Sequence, residues 1–305
     1  MDIRAIQHIL LLKPEQYSDV MISVFGEKLL SNLHTSQADL WLGDCTEFDE
    51  QEINKIQNIV DSYQSRKISL KVANSKLCSL TLEMDNLKTS VVNAIRRLME
   101  KLPLCQPLEA ITSETELWSA YADPVLDSLL SSPEEWIHLR WTNKKDTDDG
   151  VERPDGVISV LSQLRWGRNY GHGEVKIAEP TDNTYVLAWD LCRLAHFNRC
   201  LINYTSTKAA FAFQVKELAF DGLYTMCEIT NIQIPKSVDY LDTMVTRRSL
   251  RRLLQVAHVF EKVTKQKQEV EEVFLSMKRS GPSLTQLEEL ISEKRDRKLP
   301  CTLRF

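Results

Sequence analysis

Two carboxylates and an ammonium group carry the chemistry this sequence offers: Asp155, Glu174 and Lys176. Pro154-Asp155 opens an apolar run through Val157, Ile158 and Val160, and Glu174-Val175-Lys176-Ile177 follows beyond a Gly-rich stretch at 167–173. Side chains alternate across a strand. Glu174 and Lys176 therefore share one face, and Val175 and Ile177 the other. If the two runs pair as a hairpin, Asp155 lies beside Glu174. Both acids and the lysine then collect on one side of a sheet whose underside is apolar. Magnesium takes carboxylate oxygens and keeps several waters. An ion so held can polarise a phosphoryl oxygen and activate water, and a lysine can orient that water or offset charge on the phosphate. The set suits metal-assisted phosphodiester hydrolysis.

The flanking sequence supplies elements to position these groups. Residues 136–141 alternate apolar and polar, the mark of a half-buried strand. Ahead of them, Ser113 and Glu116 have capping-box spacing, and Leu117, Tyr121, Val125 and Leu129 form an apolar stripe. Behind the Glu174 strand, 181–203 reads as a helix with Leu187, Leu191, Leu194, Ala195 and Ile202 on it. Arg193 and His196 either reach a phosphate from this helix or belong to one that simply covers the core. The run 209–215 suits a buried strand, and Asp221-Gly222 suits the turn of a hairpin at 219–228. The glycines at 167–173 read as a bend before the second strand. No phosphate-loop or dinucleotide pattern runs through them. His172 is either a turn residue or a neighbour of Glu174 on the same face.

Pro154-Asp155, about twenty residues, then Glu174-Val175-Lys176 resembles the signature of the PD-(D/E)XK nuclease superfamily. The wider segment 114–235, with its words ELWSAYADPVLDSLL, RWTN, RPDGVIS, GEVK and DGLYTM, also resembles a group of uncharacterised fungal proteins assigned to that superfamily. Helix, three strands, helix, strand matches the αβββαβ order of its core. The resemblance implies an α/β (α+β) restriction-endonuclease-like fold with a mixed central sheet, flanked by N- and C-terminal helical segments. It implies Mg2+, or Mn2+, held by Asp155, Glu174 and the carbonyl of Val175, with Lys176 acting on water. It also implies a further carboxylate from the helix before the first strand: Glu116, with Glu114 in reserve, against a reading of Glu116 as a capping residue only. The expected activity is nuclease action on DNA or RNA. A nuclease fold that no longer cleaves and serves as a binding or scaffold module is the alternative, because a fold alone does not fix function.

Composition narrows the classes. The chain has 305 residues, 43% hydrophobic and 27% charged, with net charge −5. No global basic field draws it to nucleic acid, so any such contact must be local. Arg247, Arg248, Arg251 and Arg252, on a helix read as 237–268, are one candidate. The competing reading is a solvated face pairing with acids elsewhere. Seven cysteines, an odd number without CxxC, argue against a zinc ribbon or a disulfide scaffold. No G-x-S-x-G or H-E-x-x-H pattern appears. The apolar residues 9–12 are too few for a signal core, and no run approaches a membrane span. Nucleus or cytoplasm is the expected location.

Three regions are expected: a mainly helical 1–107, a nuclease-like 108–268 with a C-terminal packing helix, and a helical, partly mobile tail at 269–305. Leu77, Leu80, Met84, Leu87, Val91, Ile95 and Leu98 suit either a helix packed on its own domain or a seam for a homodimer or protein partner. The acids at 46–52 read as a helix start. KKDTDDG at 144–150 reads as a solvated loop. The basic run at 294–298 reads as exposed charge, with nuclear targeting or RNA contact as the alternative.

Overall fold

A computed structural model describes residues 12, 17–108, 113–142, 154–176, 184–205, 209–216 and 229–265, with single residues at 283 and 286. Among the described residues, five helices come first: α1 (Asp19–Phe25), α2 (Glu27–Leu42), α3 (Glu50–Gln64), α4 (Leu70–Thr81) and α5 (Asn86–Lys101). A turn at Glu114–Glu116 and a π-helix at Leu117–Ala122 lead into α6 (Asp123–Leu130). Then follow β1 (Ile137–Trp141), β2 (Gly156–Ser162), β3 (Arg165–Lys176), α7 (Thr184–Thr205) and β4 (Phe211–Lys216). A 3-10 helix at Val238–Val245 precedes α8 (Arg247–Thr264).

Local chemistry sets these boundaries. Asp49 accepts the Glu52 amide and Glu52 returns a bond to the Asp49 amide, a complete capping box at the acidic cluster. The helical stretch 69–102 is two helices rather than one, because the Asp85 carboxylate takes the Lys88 amide and starts α5 afresh. In the same way 237–268 is not one long helix. Thr246 adopts an extended conformation, accepts the Ser249 amide and separates the 3-10 helix from α8.

The strands form one mixed sheet in the order β1-β2-β3-β4. The first three make an antiparallel meander, and β4 runs parallel to β3 after the α7 crossover. The described elements are thus mixed α/β in the expected helix, three strands, helix, strand order. The expected bend at 167–173 is corrected. The hairpin turns at Gln163 and Leu164, both at positive φ, and β3 runs unbroken through the glycines. Those glycines let β4 approach: a Cβ on Gly171 would sit 2.0 Å from the Phe211 carbonyl oxygen, and one on Gly173 2.0 Å from the Phe213 ring.

One connected core runs from Phe48 to Val263 and joins α3–α6, the 3-10 helix, α8 and one face of the sheet. Ile137, Leu139, Ile158 and Phe211 are the sheet's share. Leu77, Leu80, Val91, Ile95 and Leu98 are all buried in it, so the apolar repeat of α4 and α5 packs on its own chain. The opposite face of β3 is covered by α7, on which Leu194, Ala195 and Leu201 are buried. The loop at 144–150, the hairpin at 219–228 and the basic run at 294–298 lie outside the described residues.

Candidate active site

Register brings the two acids together. Gly156 pairs with Gly173 across the antiparallel β2–β3 ladder, so the next rung outward places Asp155 beside Glu174. Asp155 Oδ2 accepts the Val175 amide proton at 2.9 Å, which fixes the carboxylate against β3. Glu174 is only 1% exposed. Its Oε2 accepts from Arg193 of α7 at 3.2 Å, and Arg193 also donates to Asp190 at 3.4 Å. Oε1 of Glu174 is buried with no hydrogen-bond partner among the described residues.

The electrostatics follow from this crowding. Burial first, then the charges of Asp155 and Asp190, push the Glu174 carboxyl up to about 9, while Arg193 pulls the other way. As two carboxylates, Asp155 and Glu174 have no proton to share. Once protonated, Glu174 donates to Asp155, and this bond favours the neutral form further.

The same face of β3 holds His172, buried and 2.8 Å from Asn198 Oδ1 through Nδ1. The Asn198 amide nitrogen donates to the Phe211 carbonyl at 3.1 Å, so its oxygen faces the imidazole and His172 Nδ1 carries the proton. His172 is therefore a strand residue that ties β3 to α7, not a turn residue. His196 packs edge-on against Phe197, and burial, with Arg199 nearby, pushes its pKa down to about 4, so the ring is neutral near pH 7.

Of the remaining candidates, Lys176 stays on the strand that holds Glu174, while Glu116 and the arginines stand elsewhere. Lys176 lies two positions beyond Glu174 on β3, its backbone paired with Lys216 of β4. Glu116 is exposed at the helix start, and its amide is capped by Ser113 at 3.1 Å. From that helical stretch it is Trp118 that reaches the sheet, stacked 5.2 Å from Trp141. Arg247 pairs with Glu50 and Arg251 with Glu47 at 3.2 Å, while Arg252 lines a small cleft with Ile232, Thr243 and Met244. The part of Arg193 was legible only as one of two readings. Asp190 was missed, because an acid in mid-helix gives no signal until the helix is laid across β3.

Among the described residues, no three or more His, Cys, Asp and Glu side chains gather at metal-binding spacing. The pair Asp155 and Glu174 remains. A bare buried oxygen on one acid beside a second carboxylate fits a hard divalent ion, which needs one or two carboxylates and completes its shell with water. No described helix is long and apolar enough to cross a membrane, and Cys45, Cys78, Cys105, Cys192 and Cys200 form no disulfide. No protein-family model, no curated protein and no solved structure matches the chain.

Proposed function

We propose that the chain is a divalent-metal-dependent nuclease of the PD-(D/E)XK type, with Asp155 and Glu174 as metal ligands and the Val175 carbonyl as a third donor. One observation carries this reading: adjacent antiparallel strands set Asp155 against Glu174, whose proton affinity is raised by its burial first and by that neighbour as well. The αβββαβ order around the pair supports it. Mg2+ or Mn2+ at this position supplies Lewis-acid polarisation of the phosphoryl oxygen and a more acidic bound water.

The chain's own groups do the rest. The Val175 amide holds Asp155 in place. Glu174 gives up its proton on metal binding, and Arg193 keeps Oε2 oriented while lowering the cost of that ionisation. Lys176 is assigned to the attacking water. Glu116 keeps only a remote part, because it stands exposed at a capped helix start.

A second reading has an observation in its favour. Arg193 already gives Glu174 a positive partner, as expected of a nuclease fold that has become a binding module. Calorimetric titration with Mn2+, paired with cleavage of single- and double-stranded DNA and RNA, tests both. Metal binding and cutting, each lost in Asp155→Asn, support the nuclease. A protein that binds no Mn2+ and cuts none of the four substrates is the module.

A further inference from the structure

Beyond the acid pair, the same face of the sheet carries an open aromatic–cationic platform. Antiparallel partners share a face, and the pairings Arg140–Val157, Val157–His172, His138–Ser159, Ser159–Asn169 and Leu161–Trp166 set His138, Arg140 and Trp166 on the face that carries His172 and Glu174. Helix α7 covers that face at His172 and Glu174, whereas Trp166 is 47% exposed. The Arg140 guanidinium lies 4.0 Å over the Trp166 ring, and His138 meets the same ring edge-on at 5.8 Å. Arg140 also donates to Ser159 Oγ at 3.2 Å, and Ser159 donates to Asn169 at 2.8 Å. The cation is therefore held in place before any ligand arrives.

A structural account explains only part of this arrangement. Burying Trp166 against the core would stabilise the fold more, yet the indole stays at the surface of a sheet whose other face holds the core. In a chain of net charge −5 this is a local cationic and aromatic spot. An exposed indole with a guanidinium over it is the pairing on which unpaired bases stack while the cation meets the backbone phosphate.

We propose that Arg140, Trp166 and His138 form a binding site for single-stranded nucleic acid, which places a base on the Arg140–Trp166 stack and runs along the uncovered part of this face toward the Asp155 end of β2. Leu161, the partner of Trp166, is six positions from Asp155 on β2. That is roughly 20 Å of strand, within the reach of one bound oligonucleotide of about 4–16 nucleotides. The inference rests on the nuclease reading for the direction of the strand and on the platform alone for its binding.

The test uses full-length protein in EDTA and fluorescence anisotropy with a labelled oligo(dT) of about 15 nucleotides, against a duplex of equal length. Tight single-strand binding is expected. Trp166→Ala should weaken it roughly tenfold or more, Trp166→Phe should restore most of it, and Arg140→Ala should weaken it and flatten its salt dependence. Thermal unfolding and Mn2+ calorimetry of the Trp166 variants should match the parent, since Trp166 is exposed and remote from the metal ligands. Oligo(dT) binding that is absent, or unchanged in Trp166→Ala, overturns the platform. Trp166-dependent binding in a protein that takes up no Mn2+ keeps the platform and removes the nuclease.

Discussion

Arg193 reaches from α7 to Glu174 on β3, 3.2 Å from Oε2, in a place where Glu174 is otherwise shut off from water. That contact bears on both readings of the site. If Arg193 assists the metal ligand, it does so by favouring the carboxylate over the carboxylic acid. Arg193→Gln should then raise the Glu174 pKa further and weaken Mn2+ binding at pH 7 several-fold, with partial recovery at higher pH. If Arg193 is instead the cation that replaces a metal, the same substitution opens the site and Mn2+ binding appears or strengthens. Calorimetry at pH 7 and pH 9 separates the two, and weakening is the expected result.

The Glu174 carboxyl sets a pH dependence with a definite sign. Its folded-state pKa is pushed up to about 9 from an ordinary 4.5, so across that interval the folded protein holds a proton that the unfolded chain releases. The stabilisation from this group is complete below about 4.5 and is lost as pH rises through about 9. Denaturant unfolding of the metal-free protein should therefore show stability falling with pH across this window, less steeply in Glu174→Gln. Metal binding must displace the same proton. At pH 7, calorimetry in buffers of different ionisation enthalpy should report about one proton released per Mn2+, and affinity should climb as pH approaches 9.

The Asp155–Glu174 meeting was legible because strand parity is local: an antiparallel hairpin with alternating faces leaves few registers, and the acids fall on the same rung in the one observed. The turn was misplaced for a non-local reason. Glycine is the usual residue at positive φ, yet here Gln163 and Leu164 take those angles. The glycines are spent on the approach of β4, which enters β3's surroundings about forty residues later. Helix ends at Asp85 and Thr246 were readable in principle as caps, but apolar periodicity ran on through both and outweighed a single polar residue. The partners of Arg247 and Arg251 are acids about two hundred positions away, beyond any spacing argument.

The His172–Asn198–Phe211 chain should act as a clamp between β3, α7 and β4. Asn198 lies buried, so Asn198→Ala removes the acceptor of the His172 Nδ1 proton where water does not readily replace it. Such a loss costs about 1–3 kcal/mol. Chemical denaturation should show that decrease. Because His172 and Glu174 are two residues apart on one strand, Mn2+ affinity should fall with it, even though Asn198 touches neither acid. Unchanged metal binding in a destabilised variant would limit the clamp to a structural part.

The glycines of β3 give the sharpest packing test. Gly171 and Gly173 differ in what blocks them. At Gly171 the obstacle is backbone, the Phe211 carbonyl, which cannot move without parting β3 from β4. At Gly173 it is the Phe213 ring, a side chain that also lies edge-on to Trp141 at 5.9 Å. Both alanine variants should be destabilised, each by about 1–3 kcal/mol or more. Removing the ring should relieve only one of them: Gly173→Ala combined with Phe213→Ala should be less destabilised than the sum of the two single changes, whereas Gly171→Ala with Phe213→Ala should simply add. A double-mutant cycle by urea denaturation measures the coupling. If Gly173→Ala alone proved neutral, Phe213 would not be seated over that strand. The close approach of β4, which sets the edge of the sheet next to Glu174, would then have to be redrawn.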